Sequence, residues 1–163
     1  MRSILRTLGL SVALVLTLAL GVGPALASEE FRATAKLDVA GAEIEFPDGQ
    51  PPIVHITFVG EGTIAGVGRV SVVSLVSEVQ TEGCKPSVVT HSLTGIDFTL
   101  ELTSIDEVCP HPSGMTAGSK ITGNWTVSGG TGTYAGATGS GTSDGVIGGQ
   151  RNVPLSLVGT ITR

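Results

Sequence analysis

Val127-Ser128-Gly129-Gly130-Thr131-Gly132-Thr133-Tyr134-Ala135-Gly136-Ala137-Thr138-Gly139-Ser140-Gly141-Thr142 is the stretch that decides between the two architectures open to a strand-rich chain of this size, a sandwich and a barrel. Of the chain's 24 glycines, eleven lie between Gly118 and Gly149, within segments whose Val, Thr and Ser otherwise read as strands. A glycine inside a strand packs nothing and costs backbone order, so it belongs where the chain coils sharply or another element comes close. Those are the demands at the corners of a small closed barrel. Trp125, Val127, Tyr134, Val146 and Ile147 recur through the same region as core anchors, which a flexible low-complexity linker lacks. Closure also leaves no sheet edge through which a chain rich in Val, Ile and Thr could aggregate. The stretch therefore predicts a closed all-β barrel.

The periodicity upstream agrees. Phe31 to Val39 alternates strictly, with Phe31, Ala33, Ala35, Leu37 and Val39 on one side and Arg32, Thr34, Lys36 and Asp38 on the other, the pattern of a half-buried strand. Ala42–Phe46 is a shorter candidate, ended by Pro47-Asp48-Gly49. Ile53–Val59 follows, with Val54, Ile56 and Phe58 on one face, and Gly60, Gly62, Gly66 and Gly68 then mark bends. Arg69–Gln80 reads as one bent strand, Ser87–Leu93 continues the pattern, and Ile96–Thr103 is the cleanest alternation of all. Residues 105–118, with Pro110 and Pro112, read as the longest loop. Lys120–Ser128, Gly132–Ala137, Gly139–Ile147 and Leu155–Thr162 complete the series, at a spacing suited to a sandwich or barrel.

Ahead of the strands, Arg2 and Arg6 precede an apolar run from Leu8 to Leu20. Gly21, Gly23 and Pro24 break it before Ala25-Leu26-Ala27. This is the pattern of a helical signal peptide, 1–27, cleaved after Ala27, with an apolar run too short to span a bilayer comfortably. The remainder, 28–163, is expected as a single β-barrel domain, secreted to the cell exterior or periplasm, with no stable membrane insertion after cleavage. With Arg2 and Arg6 gone, seven basic residues face fourteen acidic ones, which argues against nucleic acid or an anionic membrane face as partner. Cys84 and Cys109 most simply form one disulfide in an oxidising compartment. A metal site of Cys84, Cys109 and His111 is the other reading of these residues, but no C-x-x-C or H-x-x-x-H spacing supports it, and no metal is expected.

The glycine stretch resembles the G-G-T-G-x-[FY]-x-G-A-x-G signature near the end of allene oxide cyclase and dirigent-type barrels, and closely resembles small exported bacterial proteins of that class. Gly60-Glu61-Gly62-Thr63-Ile64-Ala65-Gly66-Val67-Gly68-Arg69 is similar to the G-x-G-x-x-x-x-x-G-[KR] element ahead of the first long strand in such bacterial proteins. The resemblance spans residues 53–162 and implies an antiparallel eight-stranded barrel with an apolar cavity. Plant relatives cyclise an unstable fatty-acid epoxide there or steer the coupling of phenolic radicals. Their acidic and basic cavity residues match no position here; Tyr134 alone stands where the motif carries an aromatic.

Other chemistries find little support. The Gly60/Gly62/Gly66 and Gly130/Gly132/Gly136 spacings lack the following helix that a phosphate cradle needs, and there is no P-loop lysine. Thr133 stands where a calcium-binding β-roll repeat requires Asp. No G-x-S-x-G elbow is present. His55, on the face opposite Val54, Ile56 and Phe58, is a candidate binding residue beside Tyr134, and an acid/base pair would have to join it to Glu101 or Asp97. The expectation is a cofactor-free barrel acting by binding, with a small hydrophobic ligand as partner, or by surface association. The alternative is a cofactor-independent cyclase, isomerase or dirigent-like protein working in the lumen. An enzyme of that kind needs at least two polar side chains converging inside an otherwise apolar cavity.

Overall fold

Alternating inward and outward side chains carry the backbone through eight strands: β1 (Ser28–Glu45), β2 (Ile53–Ile64), β3 (Gly68–Val79), β4 (Lys85–Thr94), β5 (Thr99–Pro110), β6 (Ser119–Gly130), β7 (Thr138–Ile147) and β8 (Val153–Thr162). The computed structural model describes residues 27–110, 118–147 and 151–163, and the expected leader lies outside the described residues. Each strand pairs antiparallel with the next, and β8 pairs with β1, so the barrel is closed. The stagger that closure requires is visible in the register. From Ala33 on β1, paired residues step through Leu157, Ser143, Gly123, Asp106, Ser87, Glu78 and Val54 and return to β1 at Ile44. The strands therefore run oblique to the barrel axis, and eight of them enclose a lumen wide enough for side chains or one small ligand. Among the described residues no helix is long and apolar enough to cross a membrane.

One cross-strand row explains the glycines of β7 and β8. Phe31, Gly159, Gly141 and Trp125 are consecutive in register on β1, β8, β7 and β6. A Cβ on Gly141 or Gly159 would stand 2.1 or 2.2 Å from the Val158 or Ser140 carbonyl of the neighbouring strand and 2.5 or 2.6 Å from the Trp125 ring, so close strand approach and the indole together occupy the space that two side chains would fill. Phe31 meets it edge-on at 5.4 Å, and Trp125 Nε1 donates to the Thr142 carbonyl at 3.0 Å. Leu100, Leu102, Leu157 and Ile161 pack within the same core. Cys84 and Cys109 are joined as a disulfide, one step beyond the Lys85–Val108 pair of β4 and β5.

Several boundaries differ from the sequence expectation, each for a local reason. Phe31–Val39 and Ala42–Phe46 are one strand, whose register slips at a bulge between Val39 and Gly41. β2 passes through Gly60 and Gly62 without breaking. Ile96 and Asp97 are not in a strand: they lie in the β4–β5 turn, where the Gly95 amide donates to the Phe98 carbonyl. β5 instead starts at Thr99 and runs through 105–110, which had read as loop. There the alternation is inverted, with Asp106 inward and Ile105 outward, so an apolar-in rule loses the strand at Thr103. Gly132–Ala137 is not a strand either. Gly132–Tyr134 forms a single 3-10 turn, and Gly132 and Gly136 adopt left-handed backbone at φ 58° and 74°.

Candidate functional site

The lumen is apolar at the Trp125 end and polar toward the other. Ser74 and Glu78 on β3, Ser87 and His91 on β4, Ser104 and Asp106 on β5 and Ser143 on β7 are all buried. They enter the lumen through strict alternation: those on β3, β4 and β5 share their strand faces with Val72, Val76, Val89, Leu93, Leu100 or Leu102, and Ser143 alternates in phase with Gly141 and Gly145 on β7. His91 is held between two hydroxyls, Ser74 Oγ 2.8 Å from Nδ1 and Ser104 Oγ 3.4 Å from Nε2. Asp106 accepts from Ser143 Oγ at 2.7 Å. That bond crosses β6 because Gly123 intervenes, and a Cβ there would overlap the Asp106 carboxylate. Glu78 lies toward the rim, with Lys85 Nζ at 3.1 Å and Gln80 Nε2 donating to it at 2.8 Å.

Burial sets the charge states. Desolvation alone pulls the His91 imidazole down to about 4, so it is neutral at physiological pH. Desolvation pushes the Asp106 carboxyl up, partly offset by the hydrogen bonds from Ser143 and Ser104. A neutral imidazole offers one donor and one acceptor, and both find a serine hydroxyl. Ser74, His91 and Asp106 line a lumen cavity together with Leu37, Phe58, Val76, Val89 and Leu155, but its volume is only about 30 Å³. That is the room of about one water molecule.

The residues singled out from sequence lie elsewhere. His55 is on the outer wall, Nδ1 3.0 Å from Ser77 Oγ and Nε2 3.2 Å from Glu45. Its cross-strand neighbours are Glu43 and Ser77, so the structure does not bring it to Asp97 in the β4–β5 turn or to Glu101 on the outside of β5. Tyr134 is buried against Phe98, ring centres 5.0 Å apart, with the Arg163 guanidinium 5.0 Å from its ring centre. Burial pushes its phenol up, and it lines none of the cavities described here. Both sulfurs of the alternative metal site are spent in the disulfide, and His111 lies outside the described residues. No group of three or more His, Cys, Asp or Glu gathers among the described residues. His91 and Asp106 were missed in sequence. The available signal was a histidine in phase with Val89 and Leu93, and an aspartate in phase with Leu100 and Leu102.

A larger concavity lies on the outer wall. A groove of about 670 Å³ crosses β2, β1, β8 and β7, floored by Ala35, Gly62, Gly145, Val146, Pro154 and Leu155 and rimmed by Lys36, Glu61, Arg69 and Asp144. Its volume falls in the range of small-molecule sites. Asp144 is engaged by Lys120 at 3.7 Å. The β7–β8 ladder ends at Gly145–Leu155, next to Pro154, which has no amide hydrogen to offer. Gly145, Pro154 and Leu155 line both the outer groove and the lumen cavity, so a single thickness of wall separates them.

No protein-family model matches the sequence, and no curated protein does. Solved structures do match. The pterocarpan synthase dirigent protein is 12% identical, aligns over 91% of this chain and 99% of its own, and superposes with a TM-score of 0.51. A conserved protein of unknown function from Rhodopseudomonas palustris is 10% identical over 85% of this chain and 99% of its own, at a TM-score of 0.52. A pyocyanin demethylase superposes at 0.40, with 11% identity over 80% of this chain and 98% of its own. Closure in chain order, the stagger of the strands and the first two superpositions together give this chain the eight-stranded barrel fold of the dirigent and allene oxide cyclase type.

Proposed function

We propose that this chain is an exported, non-catalytic barrel that binds a small hydrophobic molecule on its outer wall, in the groove rimmed by Lys36, Glu61, Arg69 and Asp144. The observation that carries this reading is the distribution of space: about 670 Å³ outside against about 30 Å³ in the lumen. A lumen enzyme needs room for substrate beside its polar groups, and the Ser74–His91–Ser104 chain has room for a water. The apolar floor supplies burial for the ligand, and the charged rim orients a polar end. Export fits the Cys84–Cys109 disulfide and the leader pattern of residues 1–27.

Titration of the 28–163 chain with N-phenyl-1-naphthylamine, a neutral dye that brightens in apolar surroundings, tests the site. Saturable binding is expected. Val146→Glu and Ser156→Glu should weaken it at least tenfold, while Ser74→Ala in the lumen leaves it unchanged. Dye binding insensitive to both groove substitutions but lost in Ser74→Ala would overturn the outer-wall assignment and favour the lumen.

A further inference from the structure

Seven basic side chains follow residue 27, and four of them are spent on carboxylates: Arg32 on Glu30, Lys85 on Glu78, Lys120 on Asp144 and Arg163 on Glu29. Lys36 and Arg69 close no ion pair among the described residues, and both line the outer groove. They are set around a pair of hydroxyls. Thr34 lies two residues before Lys36 on the outer face of β1, Thr63 is its partner on β2, and Arg69 is the partner of Thr63 on β3. Cross-strand partners stand about 5 Å apart at Cβ and successive outward residues about 6.7 Å apart, so both long cationic side chains can reach the threonine pair. Thr34 Oγ1 and Thr63 Oγ1 are 3.4 Å apart. Two hydroxyls in mutual contact use at most one of their two protons on each other, and the other O–H is left to donate.

The rim sets the charge of what fits there. Asp144 is engaged by Lys120, so Lys36 and Arg69 stand against Glu61 alone, an excess of one positive charge. A monoanion neutralises that excess, and a neutral ligand leaves it. A polyanion is repelled by the rest of the chain, where acids outnumber bases. Beyond Lys36 the groove runs onto its β8 partner Pro154, then Leu155 and Val146, a surface suited to an apolar body. We infer that the ligand of the groove is an amphiphilic monoanion, its oxyanion seated at Thr34 and Thr63 between Lys36 and Arg69 and its apolar body lying over Pro154, Leu155 and Val146. The Arg69 guanidinium presents a planar fork that matches a carboxylate or sulfonate, and the free threonine O–H adds a donor. The inference rests on the groove reading above and adds to it the charge of the ligand and the atoms that hold that charge.

Calorimetric titration of the 28–163 chain at pH 7 with 2-naphthoate and with 2-naphthamide, its neutral counterpart of nearly the same shape, tests it. Naphthoate should bind about tenfold more tightly, the margin expected of charge-assisted hydrogen bonds. Lys36→Gln and, independently, Arg69→Gln should each cut that preference by about threefold, and the double variant should remove it, while Ser74→Ala in the lumen leaves it as it was. Lys36 and Arg69 face water, and the fluorescence of buried Trp125 reports whether each variant folds. Equal affinity for the two probes, with N-phenyl-1-naphthylamine still bound, overturns the inference and leaves the groove reading in place. A naphthoate preference that survives intact in the folded double variant also overturns it, because the anion is then held elsewhere. Failure of all three molecules to bind overturns the groove reading and the inference together.

Discussion

Acidification should unlock the lumen through His91. In the fold its imidazole sits at about 4 because burial removes the water that would solvate the charged form; in the unfolded chain it returns to about 6.5. The unfolded state therefore takes up the proton first. Stability is undiminished above pH 6.5 and drains away as the pH falls toward 4. At about 1.36 kcal/mol per pH unit of difference, the loss is about 2 kcal/mol by pH 5 and about 3 kcal/mol by pH 4. Other carboxylates also titrate over this range, so the measurement is a difference: urea unfolding of wild type and His91→Gln at intervals from pH 7.5 to 4.5. Trp125, the chain's one tryptophan, is fully buried and gives the signal. The stability of wild type relative to the variant should be constant above pH 7 and fall by about 2 kcal/mol at pH 5. Parallel curves across the whole range would refute the claim that His91 is buried uncharged.

Asp106 carries the opposite sign. Its folded carboxyl is raised, so the stability tied to its protonated form is present below about 3.8 and lost as pH rises through the folded value; Asp106→Asn should be the more stable protein at pH 8 in urea unfolding, with the gap closing toward pH 4. Gly141→Ala pushes a methyl into the Trp125 ring and should cost about 1–3 kcal/mol, accompanied by a shift in tryptophan emission; an unshifted, equally stable variant would contradict the packing described for the Phe31–Trp125 row. Cys84→Ser with Cys109→Ser should lower stability by about 3–4 kcal/mol, from the 25-residue separation the bridge spans, and thiol titration of the denatured wild type should find no free thiol.

The barrel was legible because its glycines have a steric cause that leaves a mark in sequence: Gly141 and Gly159 are small where Trp125 is large. The number of strands, eight, came through the resemblance of the Val127–Thr142 stretch, whose glycines also mark the turn that stands in place of an expected strand at Gly132–Ala137. The polar lumen was not legible, because a half-buried strand is read by placing apolar residues inside. Asp106 and Ile105 reverse that rule, and the reversal is tolerated because Ser104 and Ser143 both hydrogen-bond Asp106, Ser143 reaching it past Gly123 across the intervening strand, a partnership that no local pattern encodes. His55 drew attention for the mirror-image reason. It is the polar member of a clean alternation, and such residues face water.

The pairing of Ser28–Leu37 with Val153–Thr162 ties the first strand of the barrel to its eighth. Until β8 is made, β1 has one flank unsatisfied, a row of open amides and carbonyls on a chain rich in β-branched side chains. Production of this protein should accordingly be sensitive to anything that removes or delays β8: its loss would leave seven strands with two raw edges, a species primed for aggregation.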